Sequence, residues 1–384
     1  MPTTTVRPRT RTAPQAGSEK TPDLQLLRRA VPKHCFQASN TTSALYALRD
    51  LAAVCVLSLL LSLVPHVASA PARWALWTLG SFLQGLFFTG IWIVAHECGH
   101  EALFTARWLN DAVGFVLHSL LLVPFFSWKY THARHHRYTN HMEKDTAFVP
   151  HQSRQALWRS RLGALLGLAE DSPVQNTLLL LGHQLLGWPM YMLAYVSAGP
   201  QSGFRPRRLP LRSHFNPKSG FFTPKEQPFV LLSDLGIGLV AAALWLAARR
   251  VGCATVLAAY VVPYLWVNHW IVAITFLHHT HHSVHHYKSE TWTYTDGALS
   301  TVDRDFGFVG KHIFHGIIEF HVVHHLFPRI PFYHAEEATE SLKSVLGDRY
   351  VSDPSPFLQS LWKTFATCTF VAEKTAPGVM EWVQ

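Results

Sequence analysis

Four stretches of this chain, near 46–64, 74–95, 228–248 and 251–276, are apolar over lengths that suit a membrane-crossing helix. A helix needs about 20 consecutive apolar residues to span the hydrocarbon of a bilayer. With 48% hydrophobic and only 15% charged residues over 384 positions, the whole chain is too apolar for an ordinary soluble domain. The first two runs are joined by the short Pro65–Pro71 segment and the last two across Arg249 and Arg250. These connections predict two helical hairpins, with the long connections gathered on the opposite side.

Two weaker runs, 111–126 and 177–198, are resolved by parity. If His136 and the His278–His286 cluster serve one site, an even number of crossings separates them, yet three apolar runs lie between. The 177–198 run carries His183, Gln184, Gly187 and Pro189, which raise its insertion cost, so it is expected at the interface. The 111–126 run is short for a span and is expected to be re-entrant or interfacial. Eight Lys and Arg precede residue 50, and more fall between Lys129 and Lys225, which orients these segments and both termini to the cytosol. Arg249 and Arg250 run against that rule.

The chain divides into an N-terminal arm, 1–44, and a membrane domain, 45–384. The arm has no apolar signal core. Within it Leu24, Leu26, Leu27, Val31 and Phe36 alternate with Arg28, Arg29 and Lys33, which fits either a short helix on an anionic membrane surface or a disordered arm. A net charge of +9 would suit nucleic acid, but the basic residues are scattered through the tail and loops rather than collected on one polar domain. The five cysteines, Cys35, Cys55, Cys98, Cys253 and Cys368, lack paired spacing and indicate neither a disulfide framework nor a thiolate metal site.

The chemistry lies in three histidine clusters beside the apolar runs: His96 and His100; His132, His135 and His136; His321, His324 and His325. Positions i, i+3 and i+4 share one helix face, so each cluster presents two or three imidazoles in one direction. Any single histidine among the 25 is best read as ordinary, but the H-x-x-H-H spacing occurs twice. Eight imidazoles exceed what one ion takes, so two metals are implied, and an iron pair open to an exogenous ligand fits best.

His96-Glu-Cys-Gly-His100 also reads as H-E-x-x-H, the zinc-protease signature. That reading leaves the other clusters unused. A metal transporter would carry its polar groups near the membrane midplane, whereas these lie at helix ends. Neutral ligands call for nearby carboxylates to orient the rings, and Glu97, Glu101, Asp145, Asp303, Asp305 and Glu319 are the candidates by proximity in sequence.

Ala95–His100, His132–His136 and His321–Phe327 resemble the three histidine boxes of the membrane fatty acid desaturases, within them the delta-12/omega-3 group and most closely its fungal type. Ala30–Phe36, Asn140–Asp145, Phe148–Pro150, Thr275–His281, Asp303–Gly307, His315–Glu319 and Pro331–Ala335 extend the likeness over about 22–355. The resemblance implies an all-α polytopic membrane protein with four transmembrane helices in two hairpins, interfacial or re-entrant helices, and a cytosolic helical cap holding a histidine di-iron site. It implies two irons held by His96, His100, His132, His135, His136, His279, His321, His324 and His325, the ninth ligand coming from the Thr-x-Leu-x-His-Thr pattern. By the same pattern His278 and His281 are weaker candidates, and His282, His285 and His286 are expected at the surface.

The implied activity is delta-12 desaturation of a monounsaturated C18 acyl lipid, phospholipid-bound or carried on CoA, at the endoplasmic reticulum. O2 is the co-substrate, and electrons come from NADH through cytochrome b5 and its reductase; a homodimer is compatible with the family. Omega-3 desaturation, hydroxylation, acetylenic-bond formation and conjugation remain open on the same scaffold. Phe320 stands where the family usually has Thr, which puts regioselectivity in question but not metal binding.

Overall fold

The computed structural model describes residues 22–152, 173–204 and 212–383; the basic N-terminal tail and parts of the 129–225 segment used in the charge argument lie outside them. Helix α1 (Leu24–Ala30) is capped by Asp23 and leads through a 3-10 turn, Lys33–Phe36, to α2 (Asn40–Leu63). Ser69 caps α3 (Ala70–Gly99), which has a proline in its first turn, where the missing N–H costs nothing. The helical bundle continues with α4 (Arg107–Leu120), α5 (Phe125–Arg137), α6 (Pro173–Ala194), α7 (Gln227–Val251) and α8 (Cys253–His279).

Four described helices are long and apolar enough to cross a membrane: α2 with its 3-10 extension, α3, α7 and α8. The outer faces of α2 and α7 expose Leu45, Leu48, Leu59, Leu235, Leu239 and Trp245. Such a surface is stable against lipid and not against water. The second half of α3, by contrast, is buried nearly all round.

Helices α3 and α8 run parallel. Ser81 donates to the Ala258 carbonyl at 2.5 Å, and one turn later Gly85 faces Trp266, where a Cβ would come within 2.5 Å of the indole stem. Glycine is required there for the close approach. Both helices therefore end on the same side, one at His96 and the other at His279.

The α4–α5 pair bends by 110° at Leu122–Pro124, because Pro124 cannot continue the first helix. Thr105 is bonded to Asn40 at 2.9 Å and Arg134 to Glu226 at 3.0 Å, so the pair enters and leaves on the side where α2 and α7 begin. This is the geometry of a re-entrant element. The same Arg134–Glu226 pair brings the start of α7 back to the end of α5. Between them, α6 packs its His183 against Phe276, Gly187 against Val272 and Trp188 against Trp92, all in the site-bearing halves of α3 and α8.

A cap covers this end: α9 (Tyr294–Leu299), α10 (His321–Leu326), α11 (Phe332–Leu346) and α12 (Phe357–Thr367). Two small sheets finish it. Strand β1 (His286–Tyr287) pairs antiparallel with β5 (Val379–Val383), which pairs with β4 (Phe370–Glu373), while β2 (Asp303–Arg304) lies parallel to β3 (Ser352–Asp353). Of the two readings of the arm the described part takes the helical one, but not at a lipid surface: Leu27 and Val31 are buried against Val322, Leu342 and Leu346 of the cap.

Candidate metal centre

The nine histidines converge from four elements: His96 and His100 at the end of α3, three from α5, His279 from the last turn of α8 and three from α10. They divide into two groups. Ligand nitrogens of His96, His100, His132, His136 and His324 lie within 4.8 Å of one another, as do those of His135, His279 and His325. His321 joins the second group, its Nε2 3.4 Å from His279 Nε2 and 3.0 Å from His325 Nε2. The i, i+4 spacing on α5 and α10 brings each pair together, and the intervening His135 and His324 reach across to the other group.

The short nitrogen contacts bear on occupancy by metal. His132 Nε2 lies 2.9 Å from His96 Nε2 and 3.0 Å from His136 Nε2. His279 Nε2 likewise faces His135 at 3.3 Å and His321 at 3.4 Å. One ring nitrogen carries a proton or a lone pair, never both, so such chains leave lone pairs opposed when read as hydrogen bonds. The buried Nε2 atoms of His100 and His324 have no partner at all. Nitrogens bound to one ion at about 2.1 Å sit roughly 3.0–3.4 Å apart, the spacing seen here. Burial holds His136, His324 and His325 well below the ordinary imidazole value and takes His100 and His321 down to about 3. These rings are neutral, the form that ligates.

Two of the six candidate carboxylates touch imidazoles. Asp145 Oδ1 is 2.7 Å from His135 Nδ1, and its two oxygens also accept from the Ala147 and Asn140 amides. Glu97 Oε1 lies 3.0 Å from His96 Nδ1 and 3.5 Å from His324 Nδ1. The other four do not orient a histidine. Glu101 pairs with Arg107, Lys129 and Arg329, Asp305 accepts from Gly307 N in a turn, and Glu319 accepts from Phe306 N. Asp303 receives the Val322 amide at 2.8 Å and the Tyr350 hydroxyl at 2.7 Å, anchoring α10; burial lifts its carboxyl to about 7.

Three supports were not visible in the sequence: the Thr139 hydroxyl 3.1 Å from His325 Nδ1, the Ile317 carbonyl 3.2 Å from His321 Nδ1, and the Trp128 indole stacked 4.3 Å from His132. Thr139 and Trp128 carry a local signal, Thr139 one turn beyond His135 and Trp128 one turn before His132 on α5. His278 points away, its Nδ1 2.5 Å from the Val302 carbonyl, while its ring stacks on His321. His282 is exposed and His285 partly so, but the surface expectation for His286 is overturned: it is fully buried, packed against Trp382 of β5. The covering strand comes from the far end of the chain, beyond the reach of local patterning. His281 lies 3.9 Å from Asp353, outside both groups.

Phe320 lines a small cavity with Glu97, Gly316, Ile317, Val323 and His324. Its position is thus on the His324 side of the centre, although His321 follows it in sequence.

A helical membrane protein whose bundle ends in a double cluster of imidazoles at metal-ligand spacing belongs to the metal-dependent membrane enzymes. The profile of the fatty acid desaturase family matches residues 72–356, and the chain belongs to that family of oxidoreductases. It is 42% identical to an oleate hydroxylase of Claviceps purpurea over 91% of this chain and 78% of that one. It is 38% identical to a delta-12 fatty acid desaturase of Mortierella alpina (90% and 87% covered) and 39% identical to one of Arabidopsis thaliana (97% and 93% covered). Membership of this family sets aside the zinc-protease and transporter readings.

Proposed function

We propose that this chain is a delta-12 acyl-lipid desaturase of the endoplasmic reticulum, converting oleoyl to linoleoyl chains with its site and both termini cytosolic. The observation that carries the chemistry is the division of nine clustered imidazoles into adjacent groups of five and four. The names of the Mortierella and Arabidopsis relatives support the regiochemistry. The reaction removes one hydrogen from each of two adjacent methylenes; with two further electrons and two protons, dioxygen leaves as two waters. Electrons come from NADH by way of cytochrome b5 reductase and cytochrome b5.

His96, His100, His132, His136 and His324 would hold one iron, and His135, His279, His321 and His325 the other. Bound there, the pair supplies oxidation of an unactivated C–H bond by dioxygen. The chain's own part is placement. Asp145, Glu97, Thr139 and the Ile317 carbonyl hold ring Nδ1 atoms so that Nε2 faces inward, and the apolar ends of α3 and α8 keep water from the centre. Methylenes are chemically alike, so the wall selects among them by position.

Asp145→Asn turns an acceptor facing His135 Nδ1 into an amide that can present N–H instead. The expected result is a 10–100-fold loss in metal affinity or activity, of the order seen when a ligand's outer partner is removed. Metal content against activity, with thermal unfolding as the folding control, measures it.

A second reading is hydroxylation at the same site, which the 42% identity to the Claviceps oleate hydroxylase favours. Expression in a host that makes only monounsaturated fats, with products mapped by mass spectrometry, separates the readings. A 9,12-diene as main product is expected; a hydroxylated C18 chain would establish the second reading, and no diene until linoleate is fed would mean an omega-3 enzyme. One methylene in an apolar pocket is worth about 1–3 kcal/mol, so a single wall residue can shift the outcome. Phe320→Thr should therefore change the product ratio at unchanged metal content.

A further inference from the structure

Outside the histidine centre, a second set of donors meets at the edge of the cap. His34 and Cys35 come from the 3-10 turn Lys33–Phe36, and His334 and Glu337 lie at i and i+3 on one face of α11. Their ligand atoms all fall within 4.8 Å of one another. His34 Nε2 is 2.8 Å from Glu337 Oε2 and 3.8 Å from Cys35 Sγ, and the rings of His34 and His334 meet edge-on at 5.6 Å. Cys35 is fully buried, with its thiol turned toward this group.

We propose that His34, Cys35, His334 and Glu337 form a structural zinc site that fastens the N-terminal segment to the cap. Two nitrogens, one sulfur and one carboxylate oxygen make a four-ligand set of the closed, non-catalytic type. Tetrahedral bonds of about 2.0–2.3 Å put ligands roughly 3.3–3.8 Å apart, which the two known spacings bracket closely enough for the exposed His34 and Glu337 side chains to adjust. A thiol and a carboxylate facing each other beside two imidazoles gain most from a shared cation. Burial and the Glu337 carboxylate push the Cys35 thiol up to about 11, the penalty that a bound divalent ion removes. The location gives the site a purpose. Leu27, Val31 and Cys35 pack in one cluster with Val322, Val323 and Leu326 of α10, so a clamp here braces the helix that presents three of the nine histidines.

The full chain, purified in detergent and titrated with Zn2+ and separately with Co2+, tests this. Cobalt bound by a thiolate gives a near-ultraviolet charge-transfer absorption that an all-imidazole centre cannot produce. The expected result is that band in the unaltered protein, its loss in Cys35→Ser, and one fewer Zn2+ bound per chain in that variant. Should Cys35→Ser fail to fold, His334→Ala and Glu337→Gln decide: each should weaken Zn2+ binding by about tenfold or more with iron content unchanged. No thiolate band in the unaltered protein, a band surviving Cys35→Ser and so arising from another of the five cysteines, or unchanged affinity in both α11 variants overturns the proposal.

Discussion

Replacing His324 by alanine abolishes product formation while the protein still inserts and keeps its helical content. The imidazole stands in the five-histidine group with its Nε2 unpartnered and its Nδ1 3.5 Å from Glu97. No neighbour can substitute for it, because the other rings are committed by their own Nδ1 contacts or helix positions. His135→Ala should act in the same way on the second group, and it also strands Asp145, whose Oδ1 is 2.7 Å from the lost ring. The spans do not depend on either residue: each backbone group within them is satisfied by its own helix. Activity, iron per chain and circular dichroism on the same preparation make the measurement. Activity retained by either variant at the level of the unaltered enzyme would remove the two-centre assignment.

Legibility in the sequence followed interaction range. The hairpins were readable because a span declares itself through an uninterrupted apolar run, and the clusters on α5 and α10 because i, i+3, i+4 spacing is local. The assembly of the two groups was not readable: His135 sits in sequence between His132 and His136, yet it faces His279, 144 residues away. His279 itself stood out only through family resemblance. Proximity in sequence was a poor guide to the orienting carboxylates. Glu101 is one residue from His100 but is drawn outward by three cations, whereas Asp145, nine residues past His136, folds back onto His135. Cys35 carried no paired spacing, since the carboxylate that faces it at His34 lies 303 residues from that histidine. Buried His286 was misread for the same reason.

The largest effect on stability should come from a pair whose contact the sequence did not mark: His315 opens a segment that carries the family resemblance, but Asp50 lies outside every such segment. Asp50, within the apolar run of α2, is fully buried with its Oδ2 2.7 Å from Nε2 of the equally buried His315, and its Oδ1 is 2.7 Å from Arg49. The contact is tight on every side: a Cβ on Gly90 of α3 would lie 3.0 Å from the same carboxylate. His315 adopts a positive φ of 55° just before the turn into α10, a conformation that a non-glycine residue holds only when its surroundings enforce it. Asp50→Leu removes that enforcement and leaves the imidazole without a partner in an apolar setting, at an expected cost of about 3–5 kcal/mol. Helix α10 is then released at its base, so activity should fall more than the loss of folded protein explains. Replacing both members, Asp50→Leu with His315→Phe, takes away the unpaired group, and exchange of a buried pair for apolar side chains of similar volume is often neutral or stabilising. Thermal unfolding in detergent of the two single variants and the double variant gives the coupling. A double variant no more stable than Asp50→Leu alone would mean that the aspartate acts through Arg49 and the packing around Gly90, and not through the histidine.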